Sequence, residues 1–375
     1  MDARARAGGL LMLVSLCVIA YNEEKALPRL LDDIRLQDYP HGDIEVVFVD
    51  DISTDGTKAV MESFAKEQNG FCRVIIQDSP KNLQAAAWNT AILAANGDII
   101  IRVDAHASIP ENFVSANVKN IREGEAVCGG GRPNRAEKET PWQMTLLALE
   151  ESLFGSSIAK YRRQQKEKQE VSSIFHGAYR AEVFAKAGGF NEDLGRTEDN
   201  ELHYRIRKAG YRISSCPDIV SYQNVRATLA KMLRQKYGNG MWIGLTLGVC
   251  PRCLSYFHFA PLGLVGALLI FGVLAVCGVT LPLILLSAAY LLFDAAVTAS
   301  AFSGRKAYLQ FVLLPFLFPL LHIVYGVGTL FGVIKMPFWR KGLGTGAQER
   351  INFVKESVSR KLLEKQSGKR GYTVE

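Results

Sequence analysis

Short apolar runs alternate with amphipathic, helix-like segments from about residue 10 to residue 222. The runs predicted as strands are residues 10–20, 44–49, 73–77 and 97–103. One helix is predicted to open at the turn of residues 53–57, whose hydroxyl and carboxylate groups can cap it, and another covers residues 85–95. Short strands separated by helices of roughly ten or more residues predict a mostly parallel, doubly wound α/β sheet.

The first apolar run has a second interpretation. Arg4 and Arg6 precede it, so it resembles a signal peptide. No small-x-small cleavage site follows, and the run passes directly into Tyr21-Asn22-Glu23-Glu24, which favours a buried strand. No Gly-x-Gly-x-x-Gly follows this strand and no P-loop is present, which argues against a dinucleotide fold and against a nucleotidyltransferase.

The last third of the chain is dominated by apolar residues. Its long apolar segments are residues 258–279, 281–302 and 308–334. Each reaches the length of roughly 20 residues that crosses a bilayer, which predicts a membrane region over residues 246–340. Gly326, Gly328 and Gly332 give the third segment a small-residue face for close helix packing.

Polar interruptions leave the course of these segments open. Pro315 and Pro319 are expected to interrupt the third segment, so a re-entrant or interfacial path is an alternative to a full span. Asp294, inside the second segment, would cost about 2.5–3.5 kcal/mol at mid-bilayer, and His322 is a candidate partner for it. Basic residues flank successive segments, so the positive-inside rule does not place all of them on one side.

Two amphipathic stretches border the membrane region. Residues 228–245 predict a helix at the membrane interface, with Trp242 as an anchor. One face of the basic tail is apolar and predicts a surface-lying helix, through Ile351, Val354, Val358 and Leu362. The domains predicted from these patterns are residues 1–245, 246–340 and 341–375.

Composition narrows the class of protein. The 375 residues are 48% hydrophobic and 22% charged, which suggests a soluble part joined to a membrane part. The net charge of +7 is modest and not gathered into a stripe, so no nucleic-acid partner is expected, whereas its densest runs suit anionic membrane lipid. Seven scattered cysteines predict a reducing compartment rather than a disulfide framework.

An acid and an imidazole stand where sheets of this class bind ligands. Asp104 and His106 follow the fourth predicted strand, at the carboxyl edge of the sheet. Two such groups can hold a divalent cation, Mn²⁺ or Mg²⁺, against a diphosphate, and an imidazole shifts the preference away from Mg²⁺. A separate carboxylate from Glu198-Asp199 could serve as a general base. The pattern predicts transfer of an activated group.

Five short motifs occur in order along the first 200 residues. They are Tyr21-Asn22-Glu23-Glu24, Val49-Asp50-Asp51 with Ser53-Thr54-Asp55-Gly56-Thr57, Gly97-Asp98, Asp104-x-His106 and Glu198-Asp199. In this order they resemble glycosyltransferase family 2, the inverting GT-A type. Over about residues 10–245 the chain resembles most closely the bacterial succinoglycan glucosyltransferase-like branch. The resemblance implies an α/β GT-A domain, doubly wound and nucleotide-sugar-binding, followed by a C-terminal transmembrane helical region.

The resemblance also implies roles on the donor side. The residues expected to bind the nucleotide sugar are Ile19, Tyr21, Glu23, Asp51, Gln84, Asn89 and Asp104. Asp51 would accept the uracil N3–H, although an Asx-turn residue would look the same. Asn89 could equally satisfy buried backbone groups. His106 stands where the family usually has a second aspartate, and Asp104 and His106 are the expected metal ligands.

On the acceptor side, Asp199 is the implied catalytic base, at the start of a helix for which Thr197 is the expected N-cap. The residues expected to border the acceptor are His176, Gly177, Ala178 and Glu198. The predicted enzyme moves a hexose, glucose by resemblance, from a UDP-sugar to a saccharide or polyprenyl-linked acceptor. It would be a multi-pass protein of the inner cell membrane with a cytoplasmic catalytic domain.

Two alternatives from other classes remain. A polyprenyl-phosphate sugar synthase would want basic residues near the acceptor, for which Arg162, Arg163 and Arg234 are candidates. A catalytically silent membrane scaffold would keep the fold and lose the chemistry.

Overall fold

The computed structural model describes residues 12–67, 70–152, 155, 165–302 and 308–370. The chain forms two compact units. One comprises residues 1–132, 164–223 and 344–375, and the other residues 133–163 and 224–343. The first unit contains the main sheet and the second the apolar helices.

The strands lie almost entirely in the first unit. They are β1 (Val14–Ala20), β2 (Ile44–Asp50), β3 (Arg73–Asp78), β4 (Ile99–Asp104), β5 (Ala107–Ser108), β6 (Val127–Gly131), β7 (Asn134–Arg135), β8 (Gln169–Glu170), β9 (Gly177–Arg180), β10 (Ser214–Val220) and β11 (Tyr222–Asn224). The four strands predicted from the sequence are β1 to β4, and within the first run Val14–Ala20 form a fully buried strand.

The helices divide between the units. They are α1 (Leu27–Arg35), α2 (Thr57–Lys66), α3 (Gln84–Ala94), α4 (Phe113–Arg122), α5 (Pro141–Glu151), α6 (Ala181–Ala187), α7 (Glu198–Lys208), α8 (Leu229–Thr246), α9 (Ala260–Val276), α10 (Leu281–Phe302), α11 (Leu314–Lys341) and α12 (Gly346–Arg370). Helix α10 has the bounds predicted from its apolar run.

The main sheet has eight strands in the order β3-β2-β1-β4-β9-β6-β10-β8. Strands β3, β2, β1 and β4 are parallel, as the alternation of short strands and helices predicts. Strand β9 is antiparallel to both of its neighbours, so the second half of the sheet is mixed. Helices α1, α2 and α4 cover one face, and α3, α6, α7 and α12 cover the other.

Helix α12 corrects the interpretation of the tail as a surface-lying membrane helix. Its apolar residues Ile351, Val354 and Val358 are buried in the core on the α3 and α6 side of the sheet. Lys361 Nζ donates to the carbonyl oxygens of Leu93 and Ala95, at distances of 2.5 and 2.9 Å. A cation stabilises a helix C-terminus in this way, so α12 caps α3 while it closes the core.

In the second unit α9, α10 and α11, with the short turns before α9 and α11, are long and apolar enough to cross a membrane. Pro315 lies in the first turn of α11, where a proline costs no backbone hydrogen bond. Helix α11 continues through Pro319, so the expected interruption of this segment was wrong.

Tyr290 Oη lies 2.8 Å from His322 Nδ1, and Asp294 accepts a hydrogen bond from Thr298.

Helix α8 packs closely against α11 through two Gly-x-x-x-Gly pairs. Gly240 and Gly244 of α8 face Gly328 and Gly332 of α11. A Cβ atom on Gly244 would lie 2.5 Å from the backbone nitrogen of Val333, so no larger residue fits. The small-residue face predicted from the sequence is therefore confirmed, and α8 is the helix against which most of it packs.

The two units differ from the sequence-predicted domains in two places. Helix α8 belongs with the apolar helices rather than with residues 1–245, because its glycines require α11 as a neighbour. Helix α12 belongs with the sheet rather than with a separate tail, because its apolar face completes the sheet's core.

Candidate active site

The carboxyl ends of β1, β2 and β4 meet at one edge of the main sheet. In register, Ile19 of β1 lies beside Asp104 of β4, and Ala20 lies beside Asp50 of β2. Residues that end or follow these strands are brought together by this pairing, although they are distant in sequence. They are Tyr21, Glu23, Asp51, Asp104 and His106. The edge predicted from the sequence as the ligand site is therefore built from all three strands.

The loops after β1 and β2 are joined by side-chain hydrogen bonds. Asn22 Oδ1 accepts from the Thr54 backbone nitrogen at 2.8 Å, and the Glu23 backbone nitrogen donates to Thr57 Oγ1 at 2.8 Å. Asn22 and Ile52 have positive φ angles of 55° and 64°. For the β-branched Ile52 this conformation is strained, and such strain persists only where the surroundings impose it.

Asp51 directly follows β2, at the start of the second of these loops. Its side chain is buried, and Oδ1 accepts a hydrogen bond from the Leu83 backbone nitrogen at 3.1 Å. Burial raises the pKa of Asp51. Tyr21 is half-exposed, whereas Ile19 is almost fully buried. Asp51 thus ties the end of β2 to the start of α3, the helix that opens at Gln84.

Asn89 does not reach this edge. It is fully buried in α3, where its amide donates to the Phe190 carbonyl at 3.0 Å and accepts from the Phe190 nitrogen at 2.6 Å. The same amide nitrogen also donates to Glu192 Oε1 at 2.9 Å. With both ends of its side chain engaged, Asn89 has the structural role that the sequence left open, and its contact with a nucleotide stays a prediction.

His106 is held between two side chains. Its Nδ1 lies 3.1 Å from Glu23 Oε1, and its Nε2 lies 3.0 Å from the Gln223 side-chain nitrogen. Glu23, expected as a contact of the nucleotide, is therefore a neighbour of His106. Gln223 was not singled out in the sequence, because nothing in its local pattern indicates a partner 117 positions away.

Asp104 lies at the end of β4 beside a second imidazole. Its Oδ2 is 3.2 Å from His176 Nε2, and His176 Nδ1 is 2.8 Å from Ser221 Oγ. Burial by itself would raise the pKa of Asp104, but His176, His106 and Arg102 outweigh it and hold that pKa well below the usual range. Burial lowers the pKa of His176. Asp104 is thus an anion with a partly exposed carboxylate.

Two of the residues expected to border the acceptor are part of the sheet. Gly177 and Ala178 pair with Arg102 and Ile101 across β9 and β4, and both are fully buried. A Cβ atom on Gly177 would lie 2.7 Å from the Cys128 carbonyl oxygen, which explains the glycine. This motif serves strand pairing, and a contact of these residues with an acceptor stays a prediction.

Asp199 is held by an arginine that the sequence analysis missed. Arg102 Nη1 lies 2.8 Å from Asp199 Oδ1. The Arg102 guanidinium also sits over the rings of Trp88 and Phe190, 4.3 and 4.5 Å from their centroids. The sequence did contain a signal for this pairing. Arg102 is a charged residue inside an otherwise apolar strand, and a buried cation requires a partner. Arg102 thereby brings α7 to the edge that carries Asp104.

Helix α7 begins without the expected cap. Thr197 occupies the N-cap position, but it has a φ of 69° and its side chain makes no capping hydrogen bond. Glu198, in the first turn, is buried, and burial together with the charge of Asp199 raises its pKa. Asp199 and Glu198 therefore lie in different environments within the first turn: Asp199 is partly exposed and paired with Arg102, whereas Glu198 is buried.

The raised pKa of Glu198 predicts a pH-dependent gain in stability for Glu198→Gln. The folded protein keeps the Glu198 proton at pH values where the unfolded chain has released it, so wild-type stability falls as the pH rises through that interval. The glutamine variant has no such proton. We expect the apparent unfolding temperature of the variant to exceed that of the wild type by about 2–4 °C for each kcal/mol of unfolding free energy that the wild type loses. This temperature difference should grow from about pH 5.5 to about pH 8.5.

Glu170→Gln is the matched control, since Glu170 is exposed at the edge of the sheet. Its unfolding curve should follow that of the wild type at every pH. Parallel pH profiles for Glu198→Gln and the wild type would show that Glu198 ionises normally.

The residues at this edge fit a divalent cation. Asp104 offers a partly exposed carboxylate, and His106 offers a ring nitrogen while a carboxylate engages the other, as is usual for metal-bound histidine. Within the described ranges no group of three His, Cys, Asp or Glu residues is arranged to hold a metal ion.

Comparisons with known proteins agree with this geometry. Residues 15–186 match glycosyl transferase family 2. The chain is 31% identical over 233 residues to the succinoglycan biosynthesis protein ExoA of Rhizobium meliloti, a match that covers 60% of this chain and 68% of that protein.

A second relative comes from Methanococcus voltae. It is a dolichyl N-acetyl-alpha-D-glucosaminyl phosphate 3-beta-D-2,3-diacetamido-2,3-dideoxy-beta-D-glucuronosyltransferase, 27% identical over 240 residues, with 62% of this chain and 74% of that protein covered.

Among solved structures, the mannosyltransferase PcManGT from Pyrobaculum calidifontis, in complex with GDP-Man and Mn²⁺, has a TM-score of 0.58 and 22% sequence identity. The match covers 85% of this chain and 87% of that one. This likeness shows the GT-A fold. Taken with the strand-edge carboxylates and the extent of the match to the Rhizobium protein, it leads to one conclusion: the chain belongs to glycosyltransferase family 2 and is a glycosyltransferase.

Proposed function

We propose that this enzyme transfers a hexose, glucose by family resemblance, from a UDP-sugar to a saccharide or lipid-linked acceptor, with inversion at the anomeric carbon. The observation that supports this best is the pairing of Arg102 with Asp199. Arg102 lies two residues before Asp104 on β4, so the two side chains share one face of the strand. The pairing brings the proposed base and the proposed metal ligand to the same edge.

The donor would lie across the loops after β1 and β2. Asp51, whose burial makes an unpaired charge unfavourable, would accept the N3–H of a uracil base. Tyr21, half-exposed beside it, would contact the base or the ribose. Gln84, at the start of α3, would face the same nucleotide.

The reaction itself needs one proton acceptor and one leaving group. Asp199 would take the proton from the acceptor hydroxyl as that oxygen bonds to C1 of the sugar, while the bond from C1 to the diphosphate oxygen breaks and UDP leaves from the opposite side. Arg102 keeps the Asp199 carboxylate oriented for this step. Asp104 and His106 would hold a divalent cation, which when bound would neutralise charge on the leaving diphosphate.

Attachment to a membrane is part of the proposal. The three apolar helices are long enough to cross a bilayer, and their function would be to keep the sheet unit close to lipid-linked acceptors. We propose that the sheet unit is catalytic, that it faces the cytoplasm of a multi-pass inner-membrane protein, and that α8 lies near the interface. The relative from Methanococcus voltae, named for a dolichyl phosphate-linked sugar, supports a lipid-linked acceptor.

A polyprenyl-phosphate sugar synthase is the nearest alternative. Of its candidate basic residues, Arg162 and Arg163 lie outside the described residues, and Arg234 is on α8. Product analysis separates the two activities: a sugar on a bare polyprenyl phosphate indicates the synthase, and a lengthened lipid-linked saccharide indicates the proposed transferase.

The donor assignment is tested by calorimetric titration of the full-length protein in detergent with UDP, GDP and CDP, each with and without Mn²⁺. We expect UDP to bind most tightly and Mn²⁺ to strengthen its binding, because Asp51 matches uracil and the cation shields the diphosphate from Asp104. Asp51→Asn should reduce the preference for UDP. Tighter binding of GDP, or no binding of any nucleotide, would contradict the assignment.

A further inference from the structure

We propose that Glu23 and Gln223 control which ring nitrogen of His106 is available to a cation. Glu23 holds the proton on Nδ1, so Nε2 carries the lone pair, and the Gln223 amide occupies that lone pair until a cation arriving with the nucleotide sugar displaces it. This inference rests on the metal site of the proposed function. It assigns to Glu23 the positioning of His106 in place of a nucleotide contact.

The two contacts specify one tautomer. An ionised carboxylate only accepts hydrogen bonds, so Glu23 Oε1, 3.1 Å from Nδ1, requires a proton on Nδ1. The Gln223 side-chain nitrogen only donates, so at 3.0 Å it requires a free lone pair on Nε2. A neutral imidazole protonated on Nδ1 satisfies both partners.

Both partners are held by their backbones. The Glu23 nitrogen donates to Thr57 Oγ1 at the first residue of α2. Gln223 lies on β11, opposite Ala107 of β5, in an antiparallel pair next to His106. The Gln223 side chain can therefore leave Nε2 by rotating, with its backbone unchanged. His106 keeps a side-chain exposure of 30%, which leaves a path for a cation.

The substitution of histidine for aspartate at position 106 explains why such control is needed. A carboxylate presents two equivalent oxygens to a cation. An imidazole presents one nitrogen, and the partner of the other nitrogen decides which one it is. Glu23 supplies that partner, so its role should exist only while position 106 is a histidine.

The test measures Mn²⁺ affinity, from the free-ion signal in electron paramagnetic resonance, for the full-length protein in detergent with saturating UDP. Glu23→Gln should weaken Mn²⁺ binding about 10–100-fold, the usual effect of losing such a partner of a metal-bound histidine. Glu24→Gln is the matched control: Glu24 is the next residue and accepts from the Gly56 nitrogen at 3.2 Å, a contact that glutamine can keep. It should bind Mn²⁺ as the wild type does.

A double-mutant cycle separates positioning from other roles. In a His106→Asp background, Glu23→Gln should cost no further Mn²⁺ affinity, because an aspartate has no tautomer to set. Gln223→Ala should bind Mn²⁺ several-fold more tightly than the wild type, because the competing donor is removed. Unchanged unfolding temperatures would show that the variants are folded.

Three results would overturn the inference. Wild-type affinity in Glu23→Gln would remove Glu23 from the site. An equal loss in the His106→Asp background would give Glu23 a role other than orienting an imidazole, and weaker binding in Gln223→Ala would make Gln223 a supporting residue rather than a competitor. If the wild type itself binds no Mn²⁺ with UDP, the metal site of the proposed function fails instead.

Discussion

Asp199→Asn is expected to lower the rate of sugar transfer by about 10²–10⁴-fold, the usual contribution of a general base. The asparagine cannot take the acceptor's proton, yet its side-chain oxygen can still accept the hydrogen bond from Arg102, which lies 2.8 Å from Asp199 Oδ1. We therefore expect UDP binding and the unfolding temperature to stay close to those of the wild type. The measurement is the rate of UDP release at saturating donor and acceptor.

The control for this variant is Asp78→Asn. Asp78 is exposed at the end of β3 and pairs with Lys58 on the surface, so its replacement removes a carboxylate without reaching the site. It should leave the rate unchanged. Because Glu198 lies in the same turn of α7, Glu198→Gln must be measured in parallel, and a larger loss there than in Asp199→Asn would assign the base to Glu198.

Gly332→Leu is expected to prevent the close packing of α8 against α11. A Cβ atom at residue 332 would overlap the Met241 carbonyl oxygen and would lie 3.0 Å from the Gly244 Cα atom. Neither backbone atom can move without separating the two helices, so we expect a loss of at least about 3 kcal/mol of stability, at the upper end for overpacked sites. The measurement is the yield of monodisperse protein and its unfolding temperature in detergent.

Gly272→Leu serves as the comparison. Gly272 lies in α9, where no atom is within 4 Å of an added Cβ. A leucine there adds apolar surface to a helix that already exposes Leu269, Ile270 and Val273, and should leave yield and unfolding temperature unchanged. Equal behaviour of the two variants would mean that the α8 and α11 contact tolerates separation.

The sequence predicts those elements that are specified by local patterns. Strands β1 to β4 are apolar runs bounded by turns, and the apolar run of residues 281–302 has the bounds of α10. The approach of Asp51 and Asp104 to one edge follows from parallel pairing, which the alternation of strands and helices implies. The glycine face of α11 is visible as a spacing of four residues.

Long-range partners were beyond the reach of such patterns. Asn89 binds a backbone 101 positions away, and Gln223 contacts a histidine 117 positions away. The apolar stripe of α12 was recognised correctly, but an apolar stripe suits a lipid surface and a protein core equally well. The choice between lipid and core depends on whether α3 and α6 leave an apolar surface for α12 to cover. That surface exists only in the folded unit.

The return of the chain to the sheet has a consequence for its synthesis. The core that Val354 and Val358 complete stays open until the ribosome has translated all three apolar helices. A nascent chain therefore carries three long apolar helices before its sheet unit can close. A chain truncated before Val354 should therefore leave this core open, so folding of the sheet unit depends on the last helix to be synthesised.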